Sequence, residues 1–443
     1  MSGISINQVS PSNPKPIFLS ARMRLGARLL ATFAGGHGAL QLLNVVTGIY
    51  LLRTLSLEGY AQYSLAFAFQ TTAIALTNLG LTDSIVPLVG SRGDDPALVG
   101  RYVRAAQSLR NRLFVFVAPA VALAFYLVVR TRGWSNWTLF WMFVPILASL
   151  YLSVSVAGWS APLLLKRRLG DFYLAQTIPS MARLLSYVIA NSLRQLNSGF
   201  ALLMNAAAIV LNGLIARSRS AAYVRLPTGR DRATESEVIR CMLPMVPAAV
   251  FTAFQPQVAL FLVSIFGETV QIAQIAALSR IVALFAIFNT FNSVLIEPYV
   301  ARLSPQRLPA IYLRILGCAT LLGASVSLLA FAFPWLLTWI LGAKYSNLRD
   351  SIGWVALASS VSSIANVMWV MNRGRRWLFW RGSAVEIACL LIFQSLYVIF
   401  IGVRTIETAA MFMLSASAAH LVAHGYVAMY AFSRYAPKDY VAP

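Results

Sequence analysis

Residues 201–250 read ALLMNAAAIVLNGLIARSRSAAYVRLPTGRDRATESEVIRCMLPMVPAAV. Apolar segments lie at both ends of this stretch, and an arginine-rich segment separates them. The polar segment runs from Arg217 to Arg240, contains six arginines and is the longest break in hydrophobicity in the chain. Apolar segments of about 17 to 25 residues can cross a membrane as helices. We therefore expect two groups of membrane-spanning helices joined by one polar linker.

The whole chain has a membrane-protein composition. Its 443 residues are 58% hydrophobic and 11% charged, with a mean hydropathy of +0.70, whereas soluble domains carry roughly 25% charged residues. Helices satisfy their own backbone hydrogen bonds in lipid, so we predict an all-α polytopic membrane protein. The apolar segments give twelve predicted spans, at 29–52, 60–90, 111–130, 138–160, 173–190, 198–216, 241–266, 270–297, 310–333, 350–371, 379–401 and 405–431.

The linker divides the predicted spans into two equal sets. We predict two six-helix lobes with a cytoplasmic linker between them and a cytoplasmic tail at each end. Transporters are often built from such repeats, with the substrate site between them near the membrane midplane. The predicted units are the tail 1–28, the N-lobe 29–216, the linker 217–240, the C-lobe 241–431 and the tail 432–443.

The formal net charge of +22 is explained by membrane topology. Lys and Arg collect in cytoplasmic loops, and here 27 basic residues lie on the side of both predicted termini against seven on the other side. This pattern predicts a multi-pass protein with both termini in the cytoplasm. The 32 arginines against four lysines suggest a bacterial inner membrane. Anionic membrane lipids are the expected partners of the basic side, and nucleic acid is not.

The loops between the predicted spans are short. No outward loop exceeds about 15 residues and no inward loop about 25, which leaves no room for a soluble catalytic domain. The motif GxxxxGK[ST] of nucleotide-driven motors is also absent. We predict a transporter and not an enzyme, with no cofactor, driven by an H⁺ or Na⁺ gradient or by the substrate gradient. A membrane-embedded polymerase and a non-transporting scaffold remain as alternatives.

Two segments carry a resemblance to a known family. Residues 53–66, RTLSLEGYAQYSLA, with NLGL at 78–81, resemble the first helical hairpin of Wzx-type polysaccharide flippases of the multidrug/oligosaccharidyl-lipid/polysaccharide exporter (MOP) superfamily. Residues 341–345, LGAKY, are similar to that family's Gly-x-x-Tyr segment, although Ala61 stands where the family has a glycine.

This resemblance implies a fold and a substrate. The fold would be a V-shaped, MATE-like pair of six-helix lobes. The substrate would be a polyprenyl-pyrophosphate-linked oligosaccharide, moved from the cytoplasmic to the outer leaflet for surface, O-antigen or exopolysaccharide biosynthesis. A polysaccharide polymerase or export machinery would be a partner. The alternative within the superfamily is an ion-coupled multidrug antiporter, whose cavity should carry carboxylates that face cationic substrates.

Arginines within spans mark the expected substrate cavity. A charge at a helix centre costs roughly 2.5 to 3.5 kcal/mol on insertion scales, so such a residue is a functional candidate. Arg280 in span eight and Arg183 in span five suit a pyrophosphate or an acidic sugar, because a guanidinium stays charged and donates several hydrogen bonds. Asn289 and Asn292, on the same span as Arg280, are predicted to line the same wall and to bind sugar hydroxyls.

Three carboxylates are candidates for ion coupling. They are Asp83 near the end of span two, Glu297 at the inner end of span eight and Glu386 early in span eleven. A carboxylate shielded from water can exchange protons near neutral pH. Structural alternatives remain, because Asp83 or Glu386 could pair with Arg280, Glu386 could pair with Arg381, and Glu297 could face lipid headgroups.

Histidine and cysteine positions give no metal site. His420 and His424 lie one helical turn apart on span twelve and share a face. They would suit a metal ion or a proton relay if a carboxylate joined them, but none lies nearby in sequence, so we expect packing residues. Cys241, Cys318 and Cys389 lie in different apolar segments without metal-ligand spacing.

Overall fold

The computed structural model describes the backbone of residues 17–82, 84–89, 92, 94–155, 158–166, 168–243, 246–292, 296–301, 303–304, 306–375, 377 and 379–434, with side chains from Gly35 onward at most of these positions. All the regular secondary structure in these residues is helical. The N-lobe helices are α1 Ile17–Thr54, α2 Leu57–Asn78, α3 Ile85–Val89, α4 Pro96–Val129, α5 Asn136–Ser155, α6 Ala161–Leu165, α7 Leu169–Ser192 and α8 Ser198–Ser220.

The linker contributes α9 Arg232–Met242. The C-lobe helices are α10 Val246–Phe254, α11 Val258–Phe266, α12 Thr269–Phe291, α13 Glu297–Ala301, α14 Leu308–Ala332, α15 Pro334–Leu341, α16 Arg349–Gly374, α17 Trp380–Phe400 and α18 Ile406–Arg434. Each of the twelve predicted spans overlaps one helix or two consecutive helices of this series, although α1 and α4 begin more than ten residues before the predicted spans. The predicted all-α polytopic fold class is confirmed.

Seven of the described helices are long and apolar enough to cross a membrane by length and composition. Within the described residues, two predicted spans are clearly interrupted. Span two ends as α2 at Asn78, because Leu79 and Gly80 adopt left-handed φ angles of 38° and 79° before α3 begins. Span seven is divided into α10 and α11 by the short 3-10 segment Gln255–Gln257.

The two lobes meet through a shared apolar core. Helix α12 of the C-lobe packs against α1 and α2 of the N-lobe. Tyr60 on α2 and Tyr345 after α15 are fully buried and pack edge to face with ring centroids 6.4 Å apart. Aromatic pairs of this kind contribute about 0.5–1.5 kcal/mol beyond their buried area, so they favour close contact between the lobes.

Three basic side chains join the lobes at the end of the molecule that the charge pattern predicts to face outward. Arg53 donates from Nε to the Ile340 carbonyl at 3.1 Å and from Nη2 to the Trp339 carbonyl, both at the end of α15. Lys344 Nζ donates to the Arg53 carbonyl at 3.3 Å and to the Leu55 carbonyl, where α1 ends.

The third bridge uses Arg132, which donates to the carbonyls of Ser264 and Gly267 at the end of α11. In all three bridges a cation from one lobe binds unpaired carbonyls at the C-terminus of a helix in the other lobe, where the helix dipole is negative. We call Arg53, Arg132, Lys344 and these carbonyls the outward latch.

The linker is attached to the N-lobe by an ion-pair network. Glu235 on α9 is 5% exposed and receives hydrogen bonds from Arg230 of the linker and from Arg112 of α4, at 2.8–3.1 Å. Burial opposes ionisation of this carboxyl, but hydrogen bonds from Arg230, Ser108 and Arg112 lower its pKa to about 2. The linker therefore packs as a folded element of the N-lobe surface.

Candidate functional site

A cavity of about 380 Å³ lies within the N-lobe and reaches α12 of the C-lobe. Arg183 and Arg280, the two arginines predicted from the spans, both line it. We call it the arginine cavity. Its other lining residues are Asn44, Thr47, Gly48, Tyr63, Phe67, Gln70, Thr71, Ile74, Asn205 and Ile209. None of these is a carboxylate, so the described wall of the cavity carries positive charge only.

Arg183 is held by amides from two other helices. Its Nη1 donates to Asn205 Oδ1 of α8 at 2.5 Å, and its Nη2 donates to Asn44 Oδ1 of α1 at 2.9 Å. Asn205 in turn donates to Gln70 Oε1 of α2 at 2.8 Å. The amide oxygens orient the guanidinium without neutralising it. Arg183 Nε and Gln70 Nε2 are buried and make no hydrogen bond to the described residues.

Arg280 enters the cavity from the C-lobe. Its Nε donates to the Tyr60 hydroxyl at 2.8 Å, and its guanidinium carbon lies 6.0 Å from the Tyr60 ring centroid. Gly48 on α1 permits this approach, because a Cβ there would lie only 2.9 Å from Arg280 Nη1. The alternative of an ion pair between Arg280 and Glu386 is wrong, because Glu386 bonds to a histidine elsewhere.

A second N-lobe cavity of about 490 Å³ adjoins the arginine cavity. The two share Thr71, Ile74 and Ile209 as lining residues. The second cavity is also polar, lined by Asn78, Thr82, Arg110, Ser153, Ser160, Gln176 and Asn212 among others. Sequence reasoning missed Arg110, which it counted with the basic loop before span three. In the structure α4 begins fifteen residues earlier than that span, at Pro96, and Arg110 is 5% exposed on it.

The C-lobe contains a larger cavity of different character. Its volume is about 780 Å³, and most of its wall is apolar, formed by Phe285, Phe288, Ile296, Ile311, Ile315, Leu322, Val326, Ile364 and Val367. The few polar groups include Asn292, Arg314, Ser360 and Ser363. We call it the C-lobe cavity.

Asn292 lines the C-lobe cavity and not the arginine cavity, so its prediction as a neighbour of Arg280 is wrong. Twelve residues at 100° each place it 120° away from Arg280 around the helix. Its Nδ2 lies 3.4 Å from Asn366 Oδ1 of α16. Asn289 is nine residues from Arg280, which corresponds to 180°, and its side chain lies outside the described residues.

The candidates for ion coupling occupy different environments. Asp83 lies outside the described residues. Glu297 receives two hydrogen bonds from Arg373 of α16, one of 2.9 Å from Nε, so a protein cation neutralises it. Glu386 accepts or shares a hydrogen bond with His420 Nδ1 at 3.0 Å. No observation tests whether any of the three couples transport to an ion, and this role stays a prediction.

The expectation that His420 and His424 lack a carboxylate is wrong. Glu386 of α17 lies beside both, and the ligand atoms of the three residues are all within 4.8 Å of one another. The positions of these residues within their helices indicate this proximity. Glu386 is 14 residues before the end of α17 at Phe400, and His420 is 14 residues after the start of α18 at Ile406. Antiparallel neighbours at equal distance from a tight turn lie at the same depth.

Comparison with known proteins places the fold. No family model and no curated protein matches the sequence. Among solved structures, an inward-facing multidrug resistance MATE family transporter of the MOP superfamily matches with a TM-score of 0.66 at 14% identity, over 91% of this chain and 96% of that chain. The chain has the MATE transporter fold. The outward-facing structure of such a transporter matches with a TM-score of 0.59 at 14% identity, over 92% and 95% of the chains.

A third MATE-fold neighbour is a MOP superfamily transporter from Pyrococcus furiosus, described as having a binding pocket of reverse polarity that suggests a different function. It matches with a TM-score of 0.57 at 14% identity, over 92% of this chain and 96% of that chain. The implied MATE-like architecture is thus confirmed at the level of the fold. At this identity the Wzx subtype and the substrate stay predictions.

Proposed function

We propose that this protein is a flippase for an anionic amphiphile, a polyprenyl-pyrophosphate-linked oligosaccharide, which it moves from the cytoplasmic to the outer leaflet. The observation that carries this proposal is the joint presence of Arg183 and Arg280 on one cavity whose described wall has no carboxylate. Permanently charged guanidiniums bind phosphate through charge-assisted hydrogen bonds. Such a cavity favours an anion and repels an organic cation.

Unpaired donors in the arginine cavity support an anionic ligand. A buried donor without a partner costs about 1–3 kcal/mol, and Arg183 Nε and Gln70 Nε2 are both such donors. Phosphate oxygens or sugar hydroxyls would satisfy them. The polar second cavity supports the proposal as well, since it shares three lining residues with the arginine cavity and offers polar groups beside it for the sugars.

A cation-coupled multidrug antiporter is the second candidate. It is favoured by the MATE-fold neighbours described as multidrug resistance transporters. The charge of the arginine cavity weighs against it, because cationic drugs would have to approach two arginines. Asp83, which follows Thr82 in the sequence and lies outside the described residues, is the carboxylate that this second candidate would use.

A proteoliposome assay separates the two functions. The purified protein is reconstituted with a fluorescent polyprenyl-pyrophosphoryl oligosaccharide, and a membrane-impermeant quencher reports its movement between leaflets. In parallel, ethidium uptake is followed under an imposed H⁺ or Na⁺ gradient. We expect lipid movement above that of empty vesicles and no gradient-driven ethidium transport. Ethidium transport without lipid movement would overturn the flippase proposal in favour of the antiporter.

Matched variants tie the activity to the cavity. Arg280→Ala and Arg183→Ala remove cavity charge, whereas Arg404→Ala removes an exposed charge from the α17–α18 turn. All three proteins should accumulate and elute as the native protein does. We expect lipid movement to be lost in the two cavity variants and retained in the Arg404 variant. Equal activity in all three would contradict a role for the cavity arginines.

A further inference from the structure

Glu386, His420 and His424 form a cluster that lies apart from the arginine cavity on which the proposed function rests. The two imidazoles stack nearly parallel, with ring centroids 6.0 Å apart and an interplanar angle of 21°. Glu386 Oε1 lies 3.0 Å from His420 Nδ1, and the three potential ligand atoms all lie within 4.8 Å of one another. The cluster joins α17 to α18 and is separate from the residues that line the three cavities described above.

The cluster lies at membrane depth. Fourteen residues at 1.5 Å per residue place Glu386 and His420 about 21 Å from the outward turn between α17 and α18. In a hydrocarbon core of about 30 Å this depth lies in the inner half. The side chains of Glu386 and His420 are 27% and 25% exposed, and His424 is buried. A carboxylate and two imidazoles at this depth need a partner, because unsatisfied polar groups are costly in lipid.

Two arginines at the end of the neighbouring helix α16 bind other groups. Arg373 binds Glu297, and Arg375 donates to the carbonyl of Leu303 at 3.0 Å. From the same helix, Trp369 packs against His424 with ring centroids 5.3 Å apart, and Asn372 donates to the His424 carbonyl at 3.1 Å. These contacts hold the α18 backbone and one face of His424, while one imidazole nitrogen of His424 lies within 4.8 Å of the ligand atoms of Glu386 and His420.

We propose that Glu386, His420 and His424 form a binding site for a divalent transition-metal ion such as Zn²⁺. Two imidazole nitrogens and one carboxylate oxygen make a ligand set that Zn²⁺ uses with a fourth position open to water or another ligand. Zinc bonds of 2.0–2.2 Å bring ligand atoms to about 3.3 Å from one another. The Glu386–His420 pair is already at 3.0 Å, and the remaining separations, at most 4.8 Å, need to shorten by no more than about 1.5 Å to complete the site. The bound ion neutralises Glu386 and ties α17 to α18.

The test uses the full-length protein, purified in detergent through an affinity tag without histidines and treated with a chelator. Co²⁺ is titrated in, because its visible absorption spectrum reports tetrahedral coordination by nitrogen and oxygen, and Zn²⁺ is used in competition. Thermal unfolding is measured with Zn²⁺ and with Mg²⁺. We expect one saturable Co²⁺ site per chain, displaced by Zn²⁺, and a rise in Tm with Zn²⁺ but not with Mg²⁺.

Variants assign the site. Glu386→Gln and His420→Gln are conservative changes of the two half-buried residues, and His424→Gln changes the buried residue of the cluster. Each should weaken Co²⁺ binding by at least about tenfold and abolish the Zn²⁺-dependent rise in Tm. His37→Gln, which changes the histidine of α1, is the matched control and should bind Co²⁺ as the native protein does. Absence of saturable Co²⁺ binding, or unchanged binding in Glu386→Gln and His420→Gln, would overturn the proposal.

Discussion

The cavities of the N-lobe and of the C-lobe differ in the chemistry of their walls. The N-lobe cavities are polar and carry Arg110, Arg183 and, from α12, Arg280. The C-lobe cavity is about twice as large as the arginine cavity, and its wall is mostly aromatic and aliphatic. This difference suits the proposed substrate. Its anionic head matches the polar N-lobe cavities, and its long apolar chain matches the C-lobe cavity.

The largest effect should come from the charge of the arginine cavity. Arg280→Ala removes hydrogen bonds to a charged group, each contributing about 1.5–3 kcal/mol, which corresponds to roughly a 10- to 100-fold loss in affinity for a pyrophosphate. We expect surface polysaccharide to disappear in cells carrying this variant at native expression. Arg280→Lys keeps the charge but not the fork of donors, so it should restore part of the activity. Normal surface polysaccharide with the alanine variant would contradict a role for the charge of the arginine cavity in transport.

A second variant tests the apolar wall of the C-lobe cavity. Ile364→Glu places a carboxylate on the wall of the C-lobe cavity, where burying a charge is costly. We expect roughly tenfold weaker binding of a polyprenyl pyrophosphate and little change for water-soluble pyrophosphate, measured by fluorescence titration. Ile364→Val is the control, since it keeps the apolar surface. Equal losses for both ligands would mean that the cavity does not hold the chain.

The outward latch predicts a conformational effect of similar size. Arg132→Ala removes the bonds to the end of α11, while Arg53 and Lys344 keep theirs. Because a hydrogen bond to a charged donor contributes about 1.5–3 kcal/mol, we expect the outward-open population to rise by at least about tenfold. The measurement is the rate at which a membrane-impermeant thiol reagent labels a cysteine placed at Tyr63. An unchanged labelling rate would show that the bridge does not hold the lobes closed.

The linker should give the smallest effect, and it is one on stability. The carboxyl of Glu235 has its pKa lowered from 4.5 to about 2, so its stabilising contribution is complete above pH 4.5 and is lost only as pH falls through about 2. Glu235→Gln should lower the free energy of unfolding by about 1–2 kcal/mol, because its arginine partners are half-exposed and screened. Thermal unfolding should show the same deficit at pH 7 and pH 5. A deficit that vanishes between these values would contradict the assigned pKa.

Much of the fold could be predicted from the sequence because lipid imposes length and apolarity on every span. The twelve hydropathy segments coincide with helices for this reason. The outward latch could not be predicted, since its acceptors are backbone carbonyls, which every residue type carries. The sequence identified Arg53, Arg132 and Lys344 only as three of the seven basic residues on the predicted outward side.

The candidate site was partly predictable for a related reason. A charged residue within an apolar span is visible in the sequence, so Arg183 and Arg280 were predicted. The structure places both on one cavity. Which face a residue occupies depends on helix phase, and Asn292 was misplaced because twelve residues do not return to the same face. The carboxylate beside His420 comes from another helix, so a search along α18 alone could not find it.

Ligand preference is the most direct test of the central claim. The native protein and the double variant Arg183→Gln/Arg280→Gln are titrated in detergent with a polyprenyl pyrophosphate and with ethidium. We predict that the native protein binds the pyrophosphate at least about tenfold more tightly than ethidium, and that the double variant loses this preference. A native protein that prefers ethidium, with a preference unchanged in the double variant, would contradict the account.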